Sequence, residues 1–194
     1  MMARIERGSL LSLEAYARER NVFRARVIEH KKVRTLALGD HITLIFEDEL
    51  TVRYQVQEML RIERIFEEDG IRQELDAYNP LVPDGSNLKA TMMIEYPDVA
   101  ERQRALSQLK GIEDQVWMQA GELARVYAIA DEDLERENEE KTSAVHFLRF
   151  ELDEGMRKAL RGGARLRVGV DHPQYLAQVV TPPAVRDALA ADLA

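Results

Sequence analysis

"YQVQEMLRIERIFEEDG", residues 54–70, decides how the first half of the chain is read. Apolar residues recur at Val52, Val56, Met59, Leu60, Ile62 and Phe66. At about 100° per residue they share one broad arc, which predicts an amphipathic helix from about Leu50 to Asp69. Gly70 is a candidate interruption before "IRQELDAY" continues as helix to the Asn79-Pro80 stop. Glu63 falls near the middle of the apolar arc. A lone buried carboxylate is costly, so Glu63 has to be paired, neutralised or exposed.

Upstream, Ser9 or Ser12 can cap a helix running to about Lys32. Its apolar positions, Leu13, Tyr16, Ala17, Phe23, Val27 and Ile28, form a helical stripe. Arg20 and Arg24 project into that stripe, an anomaly of opposite sign to Glu63. If the two helices pack face to face, a bidentate arginine–carboxylate pair between Arg20 or Arg24 and Glu63 answers both. Such a pair fixes helix register or anchors a ligand or metal site. Long side chains reaching out to the domain edge are the third reading. Glu58 diverges from Glu63 by about 140° and is not its natural partner.

Downstream the period changes from helical to alternating. "HITLIFEDE" places Ile42, Leu44 and Phe46 on one face of a strand, and "LKATMMIEY" does the same with Leu88, Ala90, Met92 and Ile94. Asp98 and Glu101 form a capping box for a helix burying Val99, Leu106 and Leu109. "QVWMQAGELARVYAIA" reads as a hairpin turning near Ala120-Gly121. "SAVHFLRFEL", "ARLRVGV" and "QYLAQVV" are strands, and "DEGMRKALRGG" is a short helix closed by glycines. Thr181 caps a last helix with Pro182 and Pro183 in its first turn. There is no repeat and no low-complexity linker. The expected fold is α+β: a mostly antiparallel sheet of about five to seven strands packed with two long N-terminal helices and shorter later ones. One domain is expected over 1–194, mainly helical to residue 80 and mainly sheet beyond.

Composition narrows the function. Apolar residues make up 45% and charged residues 32% of 194, so the chain is ordinary globular material. No stretch approaches the ~20 apolar residues of a membrane span, and the N-terminus has no signal-peptide core. A cytoplasmic protein is the expectation, with no membrane contact. A net charge of −8 argues against nucleic acid as a main partner. The absence of cysteine excludes disulfides, thiol catalysis and thiolate metal sites in this chain. Two charge runs stand out: Arg18, Arg20, Arg24, Arg26, Lys31, Lys32 and Arg34 in 17–34, and seven acids in 131–141. Each reads as solvated surface, or the first as a basic helix docking an anionic ligand or acidic partner.

Phosphate loops, dinucleotide fingerprints, His-Glu-x-x-His, Glu-x-x-His and G-x-S-x-G are all missing. His146 in "SAVHFLRFEL" shares a face with Leu148 and Phe150 and points inward. It is either a hydrogen-bonded core histidine or a metal ligand or proton carrier. His172 in "VDHPQY" sits at a strand end, where surface residues and sites are both found. His30 and His41 read as exposed. The candidate binding residues are therefore Arg20, Arg24, Glu63, His146 and His172. No catalytic residue, metal ligand set or cofactor is assigned, and enzyme status is left open.

"LSLEAYARER", "YQVQEMLRIE", "AYNPLVPDG", "LKATMMIE", "SAVHFLRFEL" and "VDHPQY" together resemble an uncharacterised bacterial domain-of-unknown-function family over nearly the whole chain. Genes of that family often lie beside genes for rubrerythrin-like and iron–sulfur oxidoreductase proteins. The resemblance therefore implies an accessory or interaction protein of a redox or peroxide-handling module, with one of those proteins as partner. The other reading is a small-molecule- or metal-binding protein, or an enzyme, with its site between the N-terminal helices and the sheet. A homo-oligomer is compatible with either. This chain lacks the cysteines and Glu-x-x-His pairs that would make it the redox protein itself.

Overall fold

The computed structural model describes residues 4–132, 136–138 and 140–194. Residues 133–135 and 139 of the acidic run lie outside the described residues. Ser12 caps α1 (Leu13–Lys31) by accepting from the Ala15 N–H, as serine does at helix starts. β1 (Thr35–Leu38) and β2 (Ile42–Phe46) form a hairpin through Gly39, whose φ of +73° suits glycine. The sequence reading missed β1, four residues long with Leu36 and Leu38 turned inward. Asp48 then starts α2 (Glu49–Glu63) with a reciprocal capping box to Thr51.

The expected long helix to Asp69 ends early. Arg64 takes a left-handed conformation (φ 55°), closing α2 one residue after Glu63. α3 (Glu68–Tyr78) then turns back. Gly70 lies inside α3, not at the break. A Cβ there would stand 2.7 Å from Ile65 Cγ2, so the tight α2–α3 corner is what requires glycine. Ile62 and Phe66, placed on the buried arc by their spacing, are 58% and 71% exposed.

β3 (Asn87–Ile94), α4 (Val99–Gln108), β4 (Val116–Ala120), β5 (Val126–Tyr127), β6 (Ile129–Ala130) and β7 (Val145–Glu151) follow. The chain ends with α5 (Glu154–Arg161), β8 (Leu166–His172), β9 (Tyr175–Val180) and α6 (Pro183–Ala190). Asp98 caps α4 as expected, but Val99 is exposed. α6 is capped at Pro182 without a side-chain bond; the Thr181 hydroxyl is buried and unpartnered. The α+β expectation holds. The described strands number nine, in two antiparallel sheets ordered β1-β2-β3-β7-β6 and β5-β4-β8-β9.

The two sheets face each other over one core. Leu44, Phe46, Leu88, Met92, Leu148 and Phe150 from the first meet Val116, Met118, Leu166, Val168 and Val170 from the second. The sheets also meet at both edges. On one side the chain passes from β5 to β6 through Ala128, whose N–H donates to Val116 O. On the other, the Tyr175 hydroxyl of β9 donates to Leu38 O and accepts from His41 N. A second apolar cluster lies on the far side of the first sheet. Ile5 and Leu10 of the N-terminal segment join Val52, Val56, Leu60, Ile71 and Leu75 there. α1, α2 and α3 are therefore a layer on the outer face of sheet one, while His146 points to its inner face.

Candidate metal centre

Asp131 follows the two-residue strand β6 and carries a positive φ of 48°, one of two such non-glycine residues described. Aspartate tolerates that conformation because its short carboxylate can bond locally. Here the Asp131 N–H donates to Phe147 O at 2.8 Å, and its Oδ1 accepts from Phe147 N at 2.9 Å. Oδ2 is thereby aimed past the sheet edge at His146 Nδ1, 2.5 Å away. Arg136 reaches Oδ1 at 3.3 Å and lies over the Phe147 ring.

His146 is fully buried. Its Nε2 sits 2.9 Å from Ser143 O and 3.0 Å from Thr142 Oγ1. Glu113 Oε2 lies 3.9 Å from the same nitrogen and 3.4 Å from the Thr142 hydroxyl. Glu113 and Thr142 are 7% and 1% exposed, so with His146 they are buried, while Asp131 and Ser143 at the rim are half-buried. Burial pushes the Glu113 carboxyl above the usual carboxylate range, against the pull of its backbone N–H and of His146. Each imidazole nitrogen faces an oxygen that can only accept, the Asp131 carboxylate and the Ser143 carbonyl. The Thr142 hydroxyl beside Nε2 can either donate or accept.

Glu113, Asp131 and His146 offer donor atoms all within 4.8 Å of one another. Their spacing separates two roles. At 2.5 Å, Asp131 Oδ2 and His146 Nδ1 are too close to be neighbours around one ion. Ligands at ~2.1 Å from a metal stand about 3.0–3.4 Å apart. That contact is a hydrogen bond orienting the ring, the usual partner of a metal-bound histidine. On the other side of the ring, Nε2 lies 2.9 Å from Ser143 O and 3.0 Å from Thr142 Oγ1, and Glu113 Oε2 lies 3.4 Å from Thr142 Oγ1, near that ligand spacing, with Glu113 Oε2 further from Nε2 at 3.9 Å.

Surrounding contacts hold the turn that carries Glu113. Gly111, with φ 75°, starts the 3-10 turn Ile112–Gln115, and its N–H donates to Glu137 Oε2. His172 does not reach the cluster. Its Nε2 meets Lys110 O at 3.0 Å and its Nδ1 accepts from Gln174 N, so the ring positions the turn before Glu113.

The other expected site residues go elsewhere. Arg20 does form a bidentate pair across α1 and α2, but with Glu58, at 2.7 and 2.9 Å. The buried Tyr16 hydroxyl donates to the same carboxylate at 2.6 Å. Glu63 is exposed, because α2 ends there and no layer covers that turn. It lines a cavity of about 450 Å³ with Glu74, whose carboxyl is raised by burial and then by Glu63. Arg24 is exposed. His30, read as exposed, is half-buried and meets Asp48 at 2.5 Å. Arg34, read as solvated, is 2% exposed between Asp48 and Asp192. Sequence reasoning missed Glu113 and Asp131. The one available signal was Asp131 standing directly after the short apolar run "YAIA".

A family described as "Protein of unknown function (DUF3501)" matches residues 4–193. The chain belongs to this family. A crystal structure of a protein of unknown function from Burkholderia pseudomallei K96243 is 57% identical to it. The match covers 98% of this chain and 99% of that one, with a TM-score of 0.94. No curated protein matches. The expected family resemblance is thus met in its coarse form, membership of a family of unknown function. No described helix is long and apolar enough to cross a membrane.

Proposed function

We propose that this DUF3501 protein binds one divalent first-row metal ion through His146 Nε2, Glu113 Oε2, the Thr142 hydroxyl and the Ser143 carbonyl. Asp131 holds the imidazole as an orienting partner. The observation that carries this reading is a fully buried imidazole with a carboxylate on one nitrogen and, around the other, two oxygens at about 3 Å and the Glu113 carboxylate at 3.9 Å. One imidazole with oxygen donors suits Mn²⁺, Fe²⁺ or Zn²⁺ better than Ca²⁺. A metal ion binds through the lone pair of an unprotonated Nε2, while Nδ1–H stays with Asp131. Elemental analysis of purified protein should find near-stoichiometric metal. After chelation, Mn²⁺ or Zn²⁺ should bind by calorimetry, and Glu113→Gln should weaken binding at least tenfold. A protein that takes up neither ion, and whose His146→Gln variant merely melts earlier, makes the cluster structural.

A second reading, the accessory protein of a redox or peroxide-handling module, draws support from α1. Val22 is 77% and Ile28 51% exposed on a helix that also exposes Arg18, Arg24 and Arg26. Apolar and basic groups presented together suit an acidic protein partner. A rubrerythrin-like or iron–sulfur oxidoreductase partner should be retained in a low-salt pull-down and lost at high salt. Failure to retain either at low salt removes this reading.

A further inference from the structure

A cleft of about 290 Å³ lies between α2 and the outer face of the first sheet, the layer boundary where a site was expected from sequence. Its walls are mostly apolar, from Ile45, Val52, Met93 and Phe147. Glu47 is on its lining, directly after β2. One carboxylate oxygen accepts from the Thr51 hydroxyl at 2.5 Å and the other from the Thr91 hydroxyl at 2.6 Å. Both hydroxyls line the same cleft. Two hydroxyl donors fix the direction of the Glu47 carboxylate. Each oxygen keeps acceptor capacity for a further donor.

Lys31, the last residue of α1, lines the cleft as well. Among the described residues, neither Glu47 nor Lys31 has an opposite charge within 4.0 Å, and they are not paired with each other. The cleft therefore combines a half-buried anion, a half-buried cation and an apolar wall. Half-buried charges without an opposite charge nearby are costly, so a ligand that supplies one to each gains what the free protein lacks.

We propose that this cleft binds a small zwitterion with an apolar body, of the α-amino-acid type. Its ammonium meets Glu47, its carboxylate meets Lys31, and its side chain lies against Met93 and Phe147. At about 290 Å³ the cleft matches the liquid volume of about ten waters, the size of a molecule of roughly ten non-hydrogen atoms. The site is on the opposite face of the first sheet from the His146 cluster, so it stands independently of the metal reading.

The test is calorimetry and saturation-transfer NMR on the full chain with leucine, methionine and phenylalanine. The controls are isopentylamine, which lacks the carboxylate, and 4-methylpentanoic acid, which lacks the amine. At least one amino acid should bind saturably below about 10 mM, with both controls at least tenfold weaker. Lys31→Met should lower that affinity at least tenfold while leaving the melting temperature and metal content unchanged. Met93→Trp, which fills the cleft, should abolish binding. Absence of saturable binding, or a control that binds as well as its parent, overturns the proposal, as does a Lys31→Met variant with unaltered affinity. Metal uptake at His146 is read in the same samples, so either assignment fails without the other.

Discussion

Glu58 shows how one side chain can settle several others. Its carboxylate takes two hydrogen bonds from Arg20, one from Tyr16 and one from Arg61. The Arg20 bonds, joined by those from Tyr16 and Arg61 and opposed by burial, hold its pKa at about 2 against an ordinary 4.5. Burial and the Glu58 contact push the Tyr16 hydroxyl the other way. A depressed folded-state pKa stabilises the protein above the unfolded value and is lost as pH falls towards the folded one. Glu58→Gln should therefore cost about 2 kcal/mol at pH 7 in urea unfolding, the scale of charge-assisted hydrogen bonds. The gap to wild type should shrink by more than half at pH 3. An unchanged gap at both pH values would show that Glu58 acts by packing alone. The sequence announced an arginine–carboxylate pair between the first two helices and misnamed its acid. Glu63 does share the azimuth of Val52 and Val56, but azimuth says nothing about how far the covering layer extends.

At the scale of elements, the strands were legible where alternation ran long and obscure where it was short. β3, β7 and β8 bury the faces their patterns announce. β5 and β6 have two residues each, too few for a period, and the switch between sheets at Ala128 leaves no trace in composition. Gly169, inside β8, has a tertiary reason. It pairs with Trp117 across β4, and the indole lies over it on the outer face of the second sheet. Arg125 covers that ring at 3.8 Å while pairing with Asp171. A Cβ at residue 169 would stand 2.2 Å from Trp117 Cζ2. The indole cannot yield without leaving the sheet, so Gly169→Ala should cost about 2 kcal/mol through overpacking. A melting temperature lowered by several degrees, with altered tryptophan fluorescence, is the expected result. A variant as stable as wild type would mean that Trp117 is free to move.

At the scale of the molecule, charges distant in sequence tie the helical layer to the end of the chain. Arg34 Nε donates to Phe46 O, and its guanidinium meets Asp48 and Asp192, the latter 158 positions away. Burial raises the Asp192 carboxyl while Arg34 opposes it. Arg34 counted in the sequence as one more member of a basic run; only the meeting of Asp48 and the C-terminal Asp192 around it makes it a buried residue.

Period and capping chemistry, which depend on near neighbours, were enough to determine the α+β class, most element boundaries and the inward face of His146. Chain composition alone excluded thiol chemistry and a membrane-spanning helix. Which carboxylates His146 and Arg20 meet was decided by tertiary structure. Glu113 and Asp131 reach His146 from 33 and 15 positions away. They are brought there by a left-handed turn at Gly111 and a positive φ at Asp131, local departures that only packing across two sheets holds in place. Short-range patterns cannot encode such meetings, because the distance between two side chains depends on every element folded between them.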